Sequence, residues 1–262
     1  MTLRFITALI VAATVLGTGA SVFTFSKFVT DRSFSNLEDS FAERDLERAR
    51  NAIHAQVAEL DATALDWASW DATYTYAANG NASYEAENLT QGTLSTLSLN
   101  FLVLARNDGT VIAERGLDRT SGDPIAVPTN LIGAVLLEPG LSPESAASHN
   151  ESGLRVLGAV PLLFALRPTM TSQAQAPARG YLIMARYLDA ETVGQLADQT
   201  VLNLSAVVAA GPPSASFSSR TGPDDTLIAS GDLSTGEQDR HVTVNVSIDT
   251  EIARAGTRVG RW

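Results

Sequence analysis

Asp66-Trp67-Ala68-Ser69-Trp70-Asp71-Ala72-Thr73-Tyr74 is the stretch that decides the fold, and it holds two of the three tryptophans of the chain. At about 100° per residue, one face of a helix over this stretch holds three aromatic side chains and one acid: Trp67, Trp70, Asp71 and Tyr74. Asp66 lies at the edge of this face. A buried carboxylate needs a partner, so the acid indicates either a donor-rich neighbour or a polar pocket. The alternative is that the tryptophans are core anchors while the acids cap loops or pair with arginines.

A long amphipathic helix is predicted to lead into this stretch. No proline or glycine occurs between Phe28 and Ala78, and Asn79-Gly80-Asn81 is a strong helix breaker. The apolar residues repeat at threes and fours: Phe34, Leu37, Phe41, Leu46, Ala49, Ile53, Val57, Leu60 and Ala64. The slip from Phe41 to Leu46 breaks a strict heptad, so a continuous coiled coil does not follow. A homodimer through this helix is one hypothesis, and a solvated helix is the other.

The chain begins with an apolar segment. From Phe5 to Ser26 there are 22 uncharged residues between Arg4 and Lys27, enough to cross a bilayer. Small residues at 17–20 offer a weak signal-peptidase site. Because the apolar run continues to Phe25, a retained signal anchor is favoured over a cleaved signal peptide. The acidic remainder is then expected outside the cytoplasm.

The rest of the chain reads as an α+β domain built around an antiparallel sheet. Asp108-Gly109 between two apolar runs predicts a hairpin. Further strands are predicted over 153–166, 180–187, 202–209, 226–230 and 241–248, with a loop at 211–225. Helices are predicted over 130–137 and over 190–199, the second capped by Asp189.

Composition excludes several classes of function. The formal net charge is −11 and no basic patch occurs, which argues against nucleic acid. With no cysteine there is no thiol nucleophile or thiolate metal site, and neither a metal nor a cofactor is predicted. An anchored hydrolase using Asp66 and Asp71 is the enzymatic alternative. These acids would point about 140° apart on a helix, which is poor for one scissile bond.

The order of motifs resembles the CHASE4 family of extracytoplasmic sensory domains, which are related to Cache and PAS-like sensors. Besides 66–74, the matching stretches are 84–89 (YEAENL), 107–112 (NDGTVI) and 179–189 (RGYLIMARYLD). One departure is Ala72, where the family often has a second consecutive Asp. The resemblance implies a PAS/Cache-like sheet flanked by helices and a receptor of the inner (cytoplasmic) membrane with its bulk in the periplasm. It further implies an unknown small-molecule ligand and a cytoplasmic diguanylate cyclase, phosphodiesterase or histidine kinase, whose motifs are missing from this sequence.

The predicted domains are a transmembrane anchor at 1–27, a juxtamembrane helix at 28–65, a sensory domain at 66–250 and a helix at 251–262 leading towards a second membrane segment. The predicted ligand-binding residues are Trp67, Trp70, Asp71 and Tyr74, with Arg186 as a counter-charge. Structural or capping roles are expected for Asp66, Asp108 and Gly109. The competing function is a structural dimerisation or protein-binding ectodomain without a small ligand. A pocket lined by the aromatic stripe would favour the sensor, whereas a filled core there would favour this alternative.

Overall fold

The computed structural model describes residues 3–136, 149–174, 176–223 and 226–248, so the predicted helix at 251–262 lies outside the described residues. The chain divides into a first unit of residues 1–44 and 250–262 and a second unit of residues 45–249. The second unit contains all of the strands described below.

Helix α1 (Leu3–Ala68) is a single helix of 66 residues. Its segment Ile10–Val29 is long and apolar enough, by length and composition, to cross a membrane, although a signal sequence would pass the same test. Within the first unit, Leu37 and Phe41 are 54% and 50% exposed. In the second unit the predicted apolar stripe is buried as expected: Leu46, Ala49, Ile53, Val57, Leu60 and Ala64.

The prediction of one uninterrupted helix as far as Ala78 is wrong. α1 ends at Ala68, and a second helix, α2, covers Asp71–Asn79. Trp70 has extended backbone (φ −76°, ψ 134°) and is the N-cap residue of α2. The carbonyl of Ala68 accepts a hydrogen bond from the N–H of Met170 (2.9 Å). The helix is therefore interrupted inside the aromatic stretch, where another part of the chain supplies a hydrogen bond.

Two short capped helices follow the breaker at Gly80. Gly80 has φ 64°, and its N–H closes α2 by bonding to the carbonyl of Tyr76 (2.8 Å). Asn81 caps α3 (Ala82–Asn88), and Thr90 caps α4 (Gln91–Thr96).

The first sheet has five antiparallel strands in the order β2-β1-β5-β4-β3. The strands are β1 (Phe101–Arg106), β2 (Val111–Gly116), β3 (Glu151–Leu157), β4 (Val160–Pro168) and β5 (Gly180–Tyr187). In the β1–β2 turn, Gly109 has φ 80°, and the Asp108 carboxylate accepts the N–H of Thr110 (2.9 Å). This hydrogen bond lowers the pKa of Asp108.

The two faces of the first sheet have different neighbours. One face forms a core cluster with α5 (Leu131–Val135), and this cluster includes Phe101, Phe164, Tyr181 and Ile183. The other face carries Arg167 and Arg186, which bond to Asp61 and Gln56 of α1. The alternation of side chains along each strand sends these two sets to opposite sides of the sheet.

A second antiparallel sheet follows α6 (Ala190–Thr200), whose first turn is capped by Asp189 through the N–H of Thr192 (2.9 Å). Its strands are β6 (Asn203–Ala210), β7 (Ser218–Thr221), β8 (Leu227–Ser234) and β9 (Arg240–Ile248), in the order β6-β9-β8-β7. The predicted fold class is confirmed: antiparallel sheets flanked by helices. The sequence did not show that the strands divide between two sheets, nor that β7 lies within the predicted loop at 211–225.

Candidate functional site

Asp71 is held by a serine from a distant loop. It is the first residue of α2, and its carboxylate accepts the backbone N–H (2.9 Å) and the hydroxyl (3.1 Å) of Ser172. The sequence left two environments open for this acid, a donor-rich neighbour and a polar pocket. The described contacts of Asp71 are with a donor-rich neighbour, Ser172. Asp66 is exposed near the end of α1, so the two acids lie on separate helices.

The two tryptophans stack on each other. Their ring centroids are 4.8 Å apart with an interplanar angle of 22°. Trp67 is half-buried, and Trp70 is 37% exposed. The pair therefore presents part of an indole to solvent rather than filling the core.

Tyr74 is buried against the same loop. Its hydroxyl donates to the carbonyl of Pro177 (3.1 Å), and the guanidinium of Arg179 lies 4.1 Å from the centre of its ring. The cation at this position is thus Arg179, which the sequence analysis did not select. We call Trp67, Trp70, Asp71 and Tyr74, together with residues 169–174 and 176–179, the aromatic junction.

The structure does not bring Arg186 to Asp71. Arg186 lies on β5, is 7% exposed, and donates to the carbonyls of Ser98 (2.7 Å) and Leu97 (3.2 Å) and to the side chain of Gln56 (2.6 Å). Burial lowers the pKa of Arg186, and the nearby charge of Arg119 lowers it further. Its three neutral partners make Arg186 a connector between α1 and the first sheet.

A buried polar cluster on α2 and α3 was missed by the sequence analysis. Tyr76 stacks on Tyr84 with ring centroids 4.7 Å apart, and the hydroxyl of Tyr84 bonds to Thr73 (2.7 Å). The hydroxyl of Tyr76 donates to Glu85 (3.2 Å), which also pairs with Arg115. Burial and Glu85 raise the pKa of Tyr76 to about 12, whereas the hydrogen bond from Arg115 lowers that of Glu85. Thr73 and Tyr76 fall in or beside the aromatic stretch, but only the fold shows that they face Tyr84.

Side-chain bonds join α1 to both sheets. Arg50 donates to the carbonyl of Asp232 on β8, and Gln56 accepts from Arg186 on β5. Asp61 forms a two-pronged ion pair with Arg167 on β4, with one N–O distance of 2.8 Å. We call these three contacts the α1 ties. They fix the helix against both sheets within the second unit.

One groove of about 700 Å³ is described, and it lies away from the aromatic junction. Its walls come from the start of α5, the β3–β4 turn and residues 236–240. A pocket lined by the aromatic stripe, the feature that would favour the sensor, is not among the described cavities. Within the described ranges, no group of three or more His, Asp or Glu side chains could hold a metal ion.

The fold is shared with solved extracellular domains of receptors. The extracellular domain of vpHK1S-Z8 has the same fold, with a TM-score of 0.53 at 11% identity over 80% of this chain and 95% of that one. The sensor domain of the histidine kinase DctB from Vibrio cholerae is also similar, at 12% identity over 82% and 99% of the two chains, with a TM-score of 0.47. These likenesses show the fold of the chain: antiparallel sheets flanked by helices.

The family follows from the sequence match. The CHASE4 domain matches residues 52–207, more than half of the chain. The chain belongs to the CHASE4 family, whose members are non-catalytic sensory ectodomains of membrane receptors. The methanogenesis regulatory histidine kinase FilI of Methanothrix harundinacea (strain 6Ac) is 24% identical over 243 residues, 89% of this chain. This chain spans only 27% of the length of that relative.

Proposed function

We propose that the second unit is the periplasmic or extracellular input domain of a receptor in the cytoplasmic membrane. A small molecule binds to it, and α1 carries the resulting conformational change across the membrane to a cytoplasmic output. The output is a histidine kinase or an enzyme of cyclic-di-GMP turnover, encoded outside this sequence. The observation that supports this proposal is that α1 contains an apolar segment of membrane-spanning length and is tied to both sheets.

The α1 ties give the signal a physical route. A ligand shifts an equilibrium only by its differential affinity for two states. Each tie joins a side chain of one element to a defined partner on another, so a displacement of α1 requires specific bonds to break. Packed elements with discrete partners switch between arrangements rather than deforming continuously.

The aromatic junction is the proposed ligand-binding surface. Trp70 offers an exposed indole on which a flat or apolar ligand could stack, beside a loop held by Asp71 and Tyr74. Arg186 has no place in this surface, because its donors are occupied by Gln56 and two backbone carbonyls.

Native mass spectrometry of the full chain released from detergent micelles tests this surface. We expect a stoichiometric small molecule on the wild type that is lost in Trp70→Ala. It should persist in Leu65→Ala, which removes another exposed apolar side chain five residues earlier, on α1. Loss from both variants, or from neither, would place the ligand elsewhere.

A second candidate is a protein-binding ectodomain without a small ligand. The observation favouring it is that Trp70 of the stacked pair is 37% exposed and that neither tryptophan lines the described groove. Exposed aromatic side chains are common at protein interfaces. A clean apo mass for the wild type in the same experiment would favour this candidate.

The receptor is further proposed to work as a homodimer through the first part of α1. Leu37 and Phe41 are one helical turn apart and about half exposed, a spacing suited to a second copy. Because the chain has no cysteine, Leu37→Cys can be oxidised without background. Efficient disulfide cross-linking in membranes is expected for Leu37→Cys and not for Glu47→Cys, an exposed position later in the same helix. Equal cross-linking of both would contradict the proposal.

A further inference from the structure

The groove lies at the joint between the two sheets. Asn130, Gly133 and Ala134 form one wall, Val156 and Gly158 form another, and the turn at 236–240 forms the third. The first two walls belong to α5 and the β3–β4 hairpin of the first sheet, whereas the turn connects β8 to β9 of the second. A volume of about 700 Å³ is within the range of small-molecule sites.

The charged side chains on the third wall are already paired. The guanidinium of Arg240 donates to the Glu237 carboxylate (2.6 Å) and to the carbonyl of Gly158 (3.1 Å). The other oxygen of Glu237 accepts the N–H of Val156 (3.3 Å). The bonds to Gly158 and from Val156 cross from one sheet to the other, and the Arg240–Glu237 pair has no net charge.

Three other polar side chains of the groove have no partner among the described residues. The carboxylate of Asp239 and the side-chain amides of Gln238 and Asn130 make no hydrogen bond or ion pair within the described part of the chain. Asp239 therefore gives the groove one uncompensated negative charge. Gly133 adds room, because a Cβ atom there would meet nothing within 4 Å.

We propose that this groove binds a small organic cation, a primary ammonium group on a short apolar body. The ammonium group pairs with Asp239 and donates to the amide oxygens of Gln238 and Asn130, while the apolar body lies against Ala134 and Val156. Among the described lining residues the one cation, Arg240, is paired with Glu237, so an anion would meet the uncompensated charge of Asp239.

The inference goes beyond the proposed function, because the groove shares no lining residue with the aromatic junction. An occupant would touch α5 of the first sheet and the β8–β9 turn of the second together. Binding would thereby stabilise the joint formed by the Arg240–Gly158 and Glu237–Val156 bonds.

Hydrogen–deuterium exchange of the full chain in detergent micelles tests the inference, with n-butylamine as probe. The neutral 1-butanol and the anionic butyrate serve as matched compounds of the same chain length at equal ionic strength. We expect butylamine alone to slow exchange saturably in peptides covering 130–136 and 234–240.

Three variants test the geometry. Asp239→Asn should weaken the apparent affinity for butylamine about tenfold, as expected for the loss of one charge-assisted hydrogen bond. Gly133→Leu should abolish the effect by filling the groove, and unchanged exchange in β1 and β5 would show that it folds. Asp198→Asn, at an exposed acid on α6, should bind like the wild type.

Equal protection by butyrate, or unchanged affinity in Asp239→Asn, would overturn the inference. Neither result would affect the sensory proposal, which depends on the aromatic junction. Conversely, if native mass spectrometry shows no small molecule on the wild type, the hydrogen–deuterium exchange experiment still tests butylamine binding at the groove.

Discussion

The guanidinium of Arg186 donates to the side-chain oxygen of Gln56 across 2.6 Å, joining β5 to α1. The same guanidinium holds the carbonyls of Ser98 and Leu97. One buried side chain therefore connects the helix, the central region of the first sheet and the loop before β1. Asp71, the acid of the predicted ligand-binding set, is bound by Ser172.

Replacing Arg186 by lysine should destabilise the second unit although the charge is kept. An ammonium group on a flexible stem cannot reproduce the guanidinium's directions to three separate acceptors. We expect a loss of about 1–3 kcal/mol in the free energy of unfolding, visible as a lower melting temperature in detergent. Arg220→Lys, at an exposed arginine on β7, is the matched control. Equal melting of the two variants would show that the three bonds contribute little.

Removing the Asp71 carboxylate should loosen the segment 169–174 without unfolding the sheets. Asp71→Ala deletes both bonds to Ser172, and because the site is exposed we expect only about 0.5–1 kcal/mol in global stability. Amide exchange at 169–174 should accelerate, including that of Met170, whose N–H bonds to Ala68. Gln173→Ala removes an exposed side chain of the same loop and should leave exchange unchanged. Unaltered exchange in Asp71→Ala would mean that the loop is held by other contacts.

Acid should weaken the second sheet through Asp232. Burial raises the pKa of Asp232, but the N–H of Ser214, the hydroxyl of Thr243 and the charges of His241 and Arg50 outweigh burial and lower it below its ordinary value. A carboxyl group with a lowered folded-state pKa stabilises the protein above its unfolded-state pKa, and this contribution is lost as the pH falls through the folded-state value.

The stability difference between the wild type and Asp232→Asn should therefore be present at neutral pH and shrink below about pH 4. Melting temperatures across that pH range measure it, with Asp123→Asn, at an exposed acid, as control. A difference that stays constant with pH would rule out ionisation of Asp232 as its cause.

Tyr76 should be among the last tyrosines to ionise. Burial and the neighbouring Glu85 raise its pKa from 10.0 to about 12, so the neutral phenol is favoured in the folded protein. This contribution to stability is full below the unfolded-state value and is lost as the pH rises through about 12. In a pH titration followed by tyrosinate absorbance, the step near that pH should be missing in Tyr76→Phe and present in Tyr74→Phe. Persistence of the step in Tyr76→Phe would assign it to another tyrosine.

Local patterns in the sequence determined most of the elements. The stripe containing Leu46, Ile53 and Leu60 is buried as its helical period predicts. The Asp108-Gly109 turn and the Asp189 cap are likewise formed by contacts within a few residues. These features depend on backbone bonds and side-chain faces that repeat over short separations, which is why they can be read without knowing the fold.

Tertiary structure alone decided which partners the residues of the aromatic stretch and of α1 bind. The bonds between Asp71 and Ser172 and between Gln56 and Arg186 join residues 101 and 130 positions apart. No local period encodes such a partner, because it depends on which strands lie beside α1. The aromatic stretch thus predicted a helix and a special environment, while the folded chain interrupted that helix at Ser69-Trp70 and chose the partners of its acid and tyrosine.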